Sequence, residues 1–394
     1  MIELKYVAHY VSDKIDVSSL RPAEYVTTDN MIPNRGGISE GDSLPQATRV
    51  TKYIPGDILV SNIRPYFKKI WFSTRVSGCS NDVIVFRTNS ENWDKKFLYY
   101  VLSQDVFFDF MMTGSNGTKM PRGNKKLIPN FLVPDFDVKK QRRIAGVLST
   151  YDDLIENNQK QIKLLEEAAQ RLYKEWFVDF RFPGYENTPI VDGLPEGWKL
   201  KELGSIFDFV RGKSYKSSEL SETQGVLFLN LKSIRPYGGY NRNAEKRFTG
   251  KYNKNQSLYP GDIIMSVTDM TKERRLVGQV AIVPNLKEEM TFSMDLIKLD
   301  PKCLLKSYLY STFFYGGFSN TLSPFANGVN VLHLKPESIM KLRMLVPTLE
   351  IMQAYDRFFT SINTKIELLE DQTNIAKSAR DLLLPKLMSG EIEV

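Results

Sequence analysis

The chain carries the same short motif twice at a long interval, and this duplication limits the folds that it can adopt. Residues 55–61 (PGDILVS) return 205 positions later as residues 260–266 (PGDIIMS), and Asn116-Gly117 returns 211 positions later as Asn327-Gly328. This interval is far longer than the roughly 20–50 residues of solenoid repeats. The sequence therefore predicts two domains of one fold, related by an internal pseudo-two-fold repeat.

The composition favours an intracellular protein with a polyanionic partner. Lysine plus arginine outnumber aspartate plus glutamate by 53 to 46, which gives a net charge of +7. This moderate excess fits a polyanionic partner, but many soluble proteins without such a partner carry it too, so it favours one only slightly. The two cysteines and two histidines lack the spacing of a zinc site or a disulfide framework. We find no run of about 18 apolar residues that could span a bilayer. We expect a cytoplasmic chain that binds no metal.

Two stretches have the alternating four- and three-residue spacing of apolar positions that is typical of coiled-coil helices. The predicted seam of the first helix is Ile144, Leu148, Tyr151, Ile155, Asn158, Ile162, Leu165, Ala169, Leu172 and Trp176. Each position of the second seam lies 211 residues later, at Tyr355, Phe359, Ile362, Ile366, Leu369, Thr373, Ala376, Arg380, Leu383 and Leu387. Two helices of about 40 residues would extend ~60 Å each, which suits a spacer.

We expect these two helices to pair with each other in antiparallel order, rather than each packing only on its own domain. The polar residue Asn158 in the first seam would help to fix register and orientation. Asp135 or Asp137 can cap the first helix, and residues 182–184 (FPG) are expected to stop it. Pro385 is expected to end or kink the second helix.

The remaining segments mix short alternating strands with turn signals and short helical stretches, which predicts α+β domains. The predicted boundaries are 1–134 for the first domain (the first head), 135–183 for the central helix, 184–347 for the second domain (the second head) and 348–394 for the C-terminal helix. Outside the repeated motifs the two heads differ strongly in sequence. A shared scaffold with divergent loops favours two sites that recognise different things.

Basic, amide-bearing and aromatic residues collect in loop-like segments of both heads. In the first head the candidate DNA-binding residues are Arg64, Lys68, Lys69, Asn116, Thr118, Lys119, Arg122, Asn124 and Lys125. In the second head they are Arg211, Lys213, Tyr215, Lys216, Arg235, Arg242, Lys272, Arg274, Asn327 and Asn330. Arginine can pair with guanine and asparagine with adenine, whereas lysine mainly neutralises phosphates. Each cluster alone also fits an ordinary solvated loop; recurrence beside the Asn-Gly turn favours function there.

Several catalytic motifs are missing from the chain. It has no phosphate-binding Gly-rich loop, no HExxH and no GxSxG. Residues 134–139 (PDFDVK) superficially match the acids and lysine of a metal-dependent nuclease, but the acids stand where a helix cap is needed. We therefore expect a protein that recognises and scaffolds rather than catalyses.

Two junction strings carry a family resemblance. Residues 169–180 (AQRLYKEWFVDF) with 194–198 (LPEGW), and residues 380–392 (RDLLLPKLMSGEI), resemble the central and C-terminal regions of Type I restriction-modification specificity subunits. The resemblance covers essentially the whole chain in order, although the first head has no LPEGW string before it. It implies two target-recognition domains joined by two long antiparallel coiled-coil helices.

The resemblance also implies a function and a set of partners. Each target-recognition domain would read one half of a split, asymmetric sequence in double-stranded DNA, and the paired helices would set the gap between the halves. The helices would also dock two methyltransferase subunits that carry S-adenosylmethionine, and motor nuclease subunits that use ATP and Mg could join them. This chain itself would bind no cofactor.

Two other hypotheses remain open from the residues alone. One is a coiled-coil assembly scaffold whose heads bind proteins instead of DNA. The other is a stand-alone nuclease that uses Asp135, Asp137 and Lys139. Neighbouring methyltransferase and motor genes would favour the recognition subunit over the scaffold, whereas the nuclease requires metal-dependent cleavage by the isolated chain.

Overall fold

The computed structural model describes residues 1–113, 115, 120–242, 246–271 and 273–394. The chain forms two compact units, one of residues 1–158 with 371–394 and one of residues 159–370. Each unit therefore contains one head and a part of each long helix.

The described elements of the first half of the chain are β1 Ile2–Glu3, α1 Leu4–Val7, β2 Ala8–Tyr10, β3 Lys14–Asp16, β4 Arg49–Tyr53, β5 Ile58–Ser61, β6 Ile70–Phe72, β7 Ser77–Cys79, β8 Val83–Thr88, α2 Lys95–Ser103, α3 Asp105–Thr113, β9 Leu132–Val133 and α4 Val138–Phe177. Four strands form an antiparallel sheet in the order β2-β8-β5-β6, and three form a second sheet in the order β3-β4-β7. The short pair β1–β9 joins the two ends of the head.

The core of the first unit lies between the four-stranded sheet and the helices. Buried residues of β5 and β8, such as Ile58 and Phe86, pack in one cluster with Phe97 and Val101 of α2. The same cluster contains Ile144 and Leu148 of α4, and Leu384, Leu387 and Met388 from the end of the chain. The first head is therefore packed against segments of both long helices.

The described elements of the second half are β10 Ile190–Val191, β11 Leu194–Pro195, β12 Lys199–Glu202, α5 Leu203–Ile206, β13 Phe207–Arg211, β14 Leu220–Ser221, β15 Val226–Leu229, β16 Lys246–Phe248, β17 Ser257–Leu258, β18 Ile263–Ser266, β19 Thr268–Asp269, β20 Val280–Ile282, β21 Met290–Phe292, β22 Leu296–Pro301, α6 Lys306–Phe314, β23 Ala326–Asn327, β24 Leu332–Leu334, β25 Arg343–Val346 and α7 Leu349–Ser389. The sheet β13-β22-β18-β20 repeats the strand order of the first head's sheet, and β12–β25 matches β1–β9. The second head adds a five-stranded sheet, β14-β16-β15-β21-β17, and a three-stranded sheet, β19-β24-β23.

The repeated Pro-Gly-Asp motif is a tight turn before a core strand. Gly56 and Gly261 have φ values of 90° and 84°, which only glycine adopts without strain. The carboxylates of Asp57 and Asp262 each accept a hydrogen bond from the backbone amide three residues earlier, at 2.8 and 2.9 Å. The duplicated sequence therefore specifies the same local structure in both heads.

The same two aspartates also anchor a basic side chain in each head. Arg87 donates two hydrogen bonds to the Asp57 carboxylate, both at 2.8 Å, and that carboxylate is only 1% exposed. Lys306 pairs with Asp262 at 2.7 Å. The motif thus serves the scaffold, which explains why it recurs while the loops diverge.

The predicted long helices are confirmed, with α4 and α7 running antiparallel within each unit. Asp137 caps α4, because its carboxylate accepts from the amides of residues 139 and 140. In the first unit Arg143 donates to the Val394 carbonyl and Arg380 pairs with Asp152. In the second unit Trp176 packs on Tyr355 and Phe358, while Glu166 and Asn363 line one pocket. All predicted seam residues are buried or half-buried.

Two details of the helix ends differ from the sequence prediction. The central helix ends at Phe177, before residues 182–184, because Phe180 takes a left-handed conformation (φ 56°). Of the two outcomes expected at Pro385, an end of the helix is wrong, since α7 continues through it to Ser389, and a kink there stays a prediction. Leu384, Leu387 and Met388 are buried in the first unit's core, and this packing offsets the hydrogen bond that proline cannot make. Within the described residues, no helix combines the length and apolar character needed to cross a membrane.

Candidate nucleic-acid interface

In the first head, the predicted basic residues gather on the loop that joins β5 to β6. Beyond Ser61, the loop runs beside residues 121–122: the Arg64 amide donates to the Pro121 carbonyl (2.8 Å), and Ile63 pairs with Arg122. Arg64, Lys68, Lys69 and Arg122 therefore belong to one surface, which we call the first-head loop surface.

Ion pairs and backbone contacts hold these side chains. Lys68 pairs with Asp105 at 2.9 Å, and Lys69 donates to the Thr28 carbonyl at 2.5 Å. Arg122 pairs with Asp82 at 3.2 Å, but its side chain remains 57% exposed. Exposed charges in such weak pairs can exchange partners at little cost, so Arg122 is available to a phosphate or a base.

The other first-head candidates divide into two groups. Lys125 is exposed and donates to the Asn81 carbonyl (3.3 Å), while the side chain of Asn124 accepts from the Lys126 amide in a local turn. Asn116, Thr118 and Lys119, together with Lys272 of the second head, lie outside the described residues.

In the second head, the equivalent connection after β18 is organised around one buried carboxylate. Asp269 is fully buried and accepts from the Thr271 amide and hydroxyl and from the amides of Leu276 and Val277, at 2.6–2.9 Å. Burial alone would raise the pKa of Asp269, but these hydrogen bonds outweigh it and hold the pKa below its ordinary value. The loop consequently presents Met270 and Arg274 outward, Met270 being 70% exposed.

A hairpin between β23 and β24 lies beside this loop. Its strands pair Asn327 with His333, and His333 pairs in turn with Thr268 of β19. Arg274 donates to the Ser323 carbonyl at 3.2 Å, which connects the two segments. Asn327 and Asn330 are exposed at the hairpin tip. The structure therefore brings Arg274, Asn327 and Asn330 together, and we call this the second-head loop surface.

The remaining second-head candidates lie elsewhere. Arg235 pairs with Glu166 of α4 (3.2 Å), and Arg242, only 13% exposed, pairs with Glu370 of α7 (3.0 Å). These arginines anchor the second head to the helix segments of its own unit, so we leave them out of the proposed DNA contacts.

Four further candidates line the stretch from the end of β13 towards β14. Arg211 pairs with Glu337 at 2.8 Å, and the Tyr215 ring packs edge-on against Phe228. Lys213 bonds through its backbone to β21, and the Lys216 amide donates to Glu219. These contacts fix the local backbone and leave Arg211 and Lys216 exposed.

Sequence reasoning missed the residues that support the two surfaces. Asp269 holds one loop; Arg35 and Asp105 hold the other, because Arg35 donates to the Ser103 carbonyl and pairs with Asp105. These are ordinary acidic and basic residues outside any motif, so only the folded loop reveals their role. Among the described residues, no group of three or more His, Cys, Asp or Glu side chains could hold a metal ion.

Each unit thus combines an α+β head of the same strand order with segments of both long helices, and the two heads carry different basic loops. Residues 16–167 and 195–376 match the family described as Type I restriction modification DNA specificity domain. The chain belongs to this family and carries its domain twice. Its role is therefore DNA sequence recognition, and it is the non-catalytic specificity component of a Type I restriction-modification system.

Known relatives agree with this assignment. The chain is 27% identical over 321 residues to the Type I restriction enzyme MjaIX specificity subunit of Methanocaldococcus jannaschii. This alignment covers 76% of this chain and 69% of the relative. It is 21% identical to the HindI specificity subunit of Haemophilus influenzae, with 98% of each chain covered. The S subunit structure from M. genitalium shares the fold, with a TM-score of 0.56 and 15% identity over 98% of this chain and 95% of that one.

Proposed function

We propose that the two heads read the two halves of a split, asymmetric DNA target. The observation that carries this proposal is the pairing of a repeated scaffold with unlike loops. The same turn and the same four-stranded sheet recur in both heads, whereas the loop after the shared strand is built differently in each. Two unlike surfaces on one scaffold would read unlike sequences.

The base-contacting residues would come from the two loop surfaces. Arg64, Lys69 and Arg122 would serve the first half-site, and Arg274, Asn327 and Asn330 the second. Arginine and asparagine side chains can form paired hydrogen bonds with guanine and adenine, and Arg122, Arg274, Asn327 and Asn330 are exposed. Lys125 and Lys216, both exposed, suit contacts with phosphates.

The long helices would pair as a coiled coil that sets the gap between half-sites. Support comes from the antiparallel contacts of α4 and α7 within each unit and from the burial of every predicted seam residue. Their exposed faces would dock two methyltransferase subunits, which would supply S-adenosylmethionine and methylate adenine. Motor nuclease subunits that use ATP and Mg could join the complex. We expect the assembly to act in the cytoplasm.

The first experiment is to co-express the chain with its methyltransferase subunit and to map methylated adenines across a host genome by single-molecule sequencing. We expect a split, asymmetric motif that is present only with the chain. The control is the methyltransferase alone. If a complex that assembles and binds S-adenosylmethionine produces no new motif, the proposal fails and an assembly scaffold becomes the better explanation.

The spacer function has its own test in the helices. One heptad inserted at matched positions of α4 and α7 should lengthen the gap of the methylated motif and leave both half-sites unchanged. Insertion in α4 alone should disrupt pairing and abolish modification. An unchanged gap after the matched insertion would refute the spacer function.

A further inference from the structure

Two large aromatic rings are exposed side by side at the tip of the first-head loop surface. Tyr66 is 48% exposed and Phe67 37% exposed, and their ring centroids are 4.7 Å apart. Both belong to a single 3-10 turn, Pro65–Phe67, between Arg64 and Lys68. Contiguous exposed apolar groups on a protein surface commonly mark a contact site.

Hydrogen bonds from a neighbouring segment fix the backbone that carries the two rings. The carbonyls of Phe67 and Lys68 accept hydrogen bonds from the amides of Asn34 and Arg35, at 2.8 and 2.9 Å. Arg64 and Lys68, on either side of the turn, have φ values of 50° and 52°, which are uncommon for residues other than glycine. Such strained conformations persist only where the surroundings impose them, and they concentrate at functional sites.

The positive charge around the two rings indicates what kind of molecule they contact. Lys69 lies 5.8 Å from the centroid of the Phe67 ring, and Arg64 and Arg122 belong to the same surface. Within the described part of the chain, the buried Nε atom of Arg64 has no hydrogen-bond partner, although buried donors normally have one. Cations beside exposed apolar rings suit duplex DNA, in which phosphates flank apolar base edges and base steps that an aromatic side chain can contact or wedge apart.

Building on the proposed function, we infer that Tyr66 and Phe67 are specificity-determining residues that pack against bases of the first half-site. Because the turn is fixed before binding, the rings contact DNA at a defined position in the half-site. The second-head loop surface has aliphatic side chains exposed instead, with Met270 at 70% and Val329 at 99%. A pair of exposed aromatic rings in mutual contact is thus a feature of the first-head loop surface.

The test measures methylation rates of the complete complex with methyltransferase subunits on a plasmid library randomised in one half-site at a time. The variant is Tyr66→Ala with Phe67→Ala. The matched control is Tyr6→Ala, a 59% exposed tyrosine of the same head. Because loss of one base-pair contact in a duplex DNA site costs roughly 10- to 100-fold in affinity, we expect the rate on the preferred first half-site to fall by about that factor. The preference at one or two adjacent positions should flatten, while second-half preferences and the Tyr6→Ala rates stay within about two-fold.

Two results would overturn the inference. One is a first-half preference that the double variant leaves unchanged, and the other is an equal loss of preference in both half-sites. Phe67→Leu keeps an apolar side chain, so it should retain the fold and cause an intermediate loss of methylation rate on the first half-site. If the double variant unfolds at a lower temperature than wild type, Tyr66→Ala alone tests the inference, because the Tyr66 ring is half exposed. If the wild-type complex methylates no split motif, the proposed function itself is refuted. If the wild-type complex methylates a split motif that the variants leave unchanged, only this inference is refuted.

Discussion

The two heads fix their recognition loops by different means. In the first head the loop is braced from outside, since backbone amides of residues 34 and 35 bond to its tip. In the second head the loop is braced from inside, since it wraps around the Asp269 carboxylate. The strands beneath both loops follow the same order. The comparison shows that the same sheet can carry recognition loops that are stabilised by different contacts.

The largest expected effect tests the shared scaffold, where the two heads differ in one ion pair. Asp57→Ala removes two hydrogen bonds from the mostly buried Arg87 guanidinium and leaves it paired with the exposed Asp13 at 2.9 Å, so the first head should lose about 3 kcal/mol of stability. Asp262→Ala should cost the second head only about 1–2 kcal/mol, because Lys306 is 47% exposed and can turn to water. The measurement is native-state hydrogen exchange of peptides that cover β5 and β18.

Each variant should leave the other head's exchange unchanged, which provides an internal control. Equal losses in both heads would show that the turn, rather than the ion pair, supplies the stabilisation.

The next effect concerns the helix segments of the two units. The first unit has a polar contact, in which Arg380 pairs with Asp152 (2.6 Å) and Asp152 accepts from the Tyr100 hydroxyl (2.6 Å). The second unit has aromatic contacts there, such as Trp176 with Tyr355. Arg380→Met should destabilise the first unit by about 2 kcal/mol, because Asp152 loses its cation while mostly buried.

The measurement is denaturant unfolding, with exchange in α2 to localise the change. The double variant Arg380→Met with Asp152→Leu should recover part of the loss, since two apolar residues can replace a buried ion pair. Strict additivity of the two single losses would show that the pair is not coupled.

A smaller, local effect separates the two loop designs. In Asp269→Asn the amide oxygen replaces only part of the carboxylate's acceptor capacity, so amides of the second-head loop lose partners. Charged hydrogen bonds contribute about 1.5–3 kcal/mol each, and we expect about 2 kcal/mol of local opening. Hydrogen exchange at the amides of Thr271, Leu276 and Val277 should rise, and recognition of the second half-site should weaken at least ten-fold. The first half-site serves as the control; equal weakening of both would disprove the local role.

The smallest effect is a difference in acid sensitivity. Because the pKa of Asp269 is lowered in the folded state, its stabilisation is complete above about pH 4 and is lost only as the pH falls through the lowered value. The pKa of Asp105 in the first head is also lowered, mainly by its hydrogen bond from Lys68, but its side chain is 58% exposed. The loss begins as the pH falls below the ordinary pKa of an aspartate, about 4, and continues down to the lowered value. Between pH 5 and pH 3, exchange corrected for intrinsic rates should therefore begin to rise, and it should rise more in the second-head loop than in the first.

The sequence was a good guide to what depends on local pattern. The seven-residue spacing of the long helices is a local property, and the predicted helices are present. The repeated Pro-Gly-Asp motif, from which the sequence predicts two related domains, forms the same turn in both heads. The polar position Arg380 in the second seam had no explanation until its partner Asp152, 228 residues earlier, was placed. Likewise Arg235 and Arg242 are of a residue type that commonly contacts DNA, but they pair with residues 69 and 128 positions away on the long helices. Pairing over such distances depends on the fold, which residue type and spacing alone do not reveal.

The division of the chain into units also sets the order in which the protein can be completed during synthesis. The second unit is one continuous stretch, whereas the first unit needs residues 371–394 to finish its core. The head that leaves the ribosome first must therefore wait for a segment made more than two hundred residues later, roughly 10–40 s at 5–20 residues per second. Throughout that interval the apolar surface that Leu384, Leu387 and Met388 will cover stays accessible to chaperones and prone to aggregation. A nascent chain that lacks residues 371–394 would therefore have a complete second unit but an incomplete core in the first.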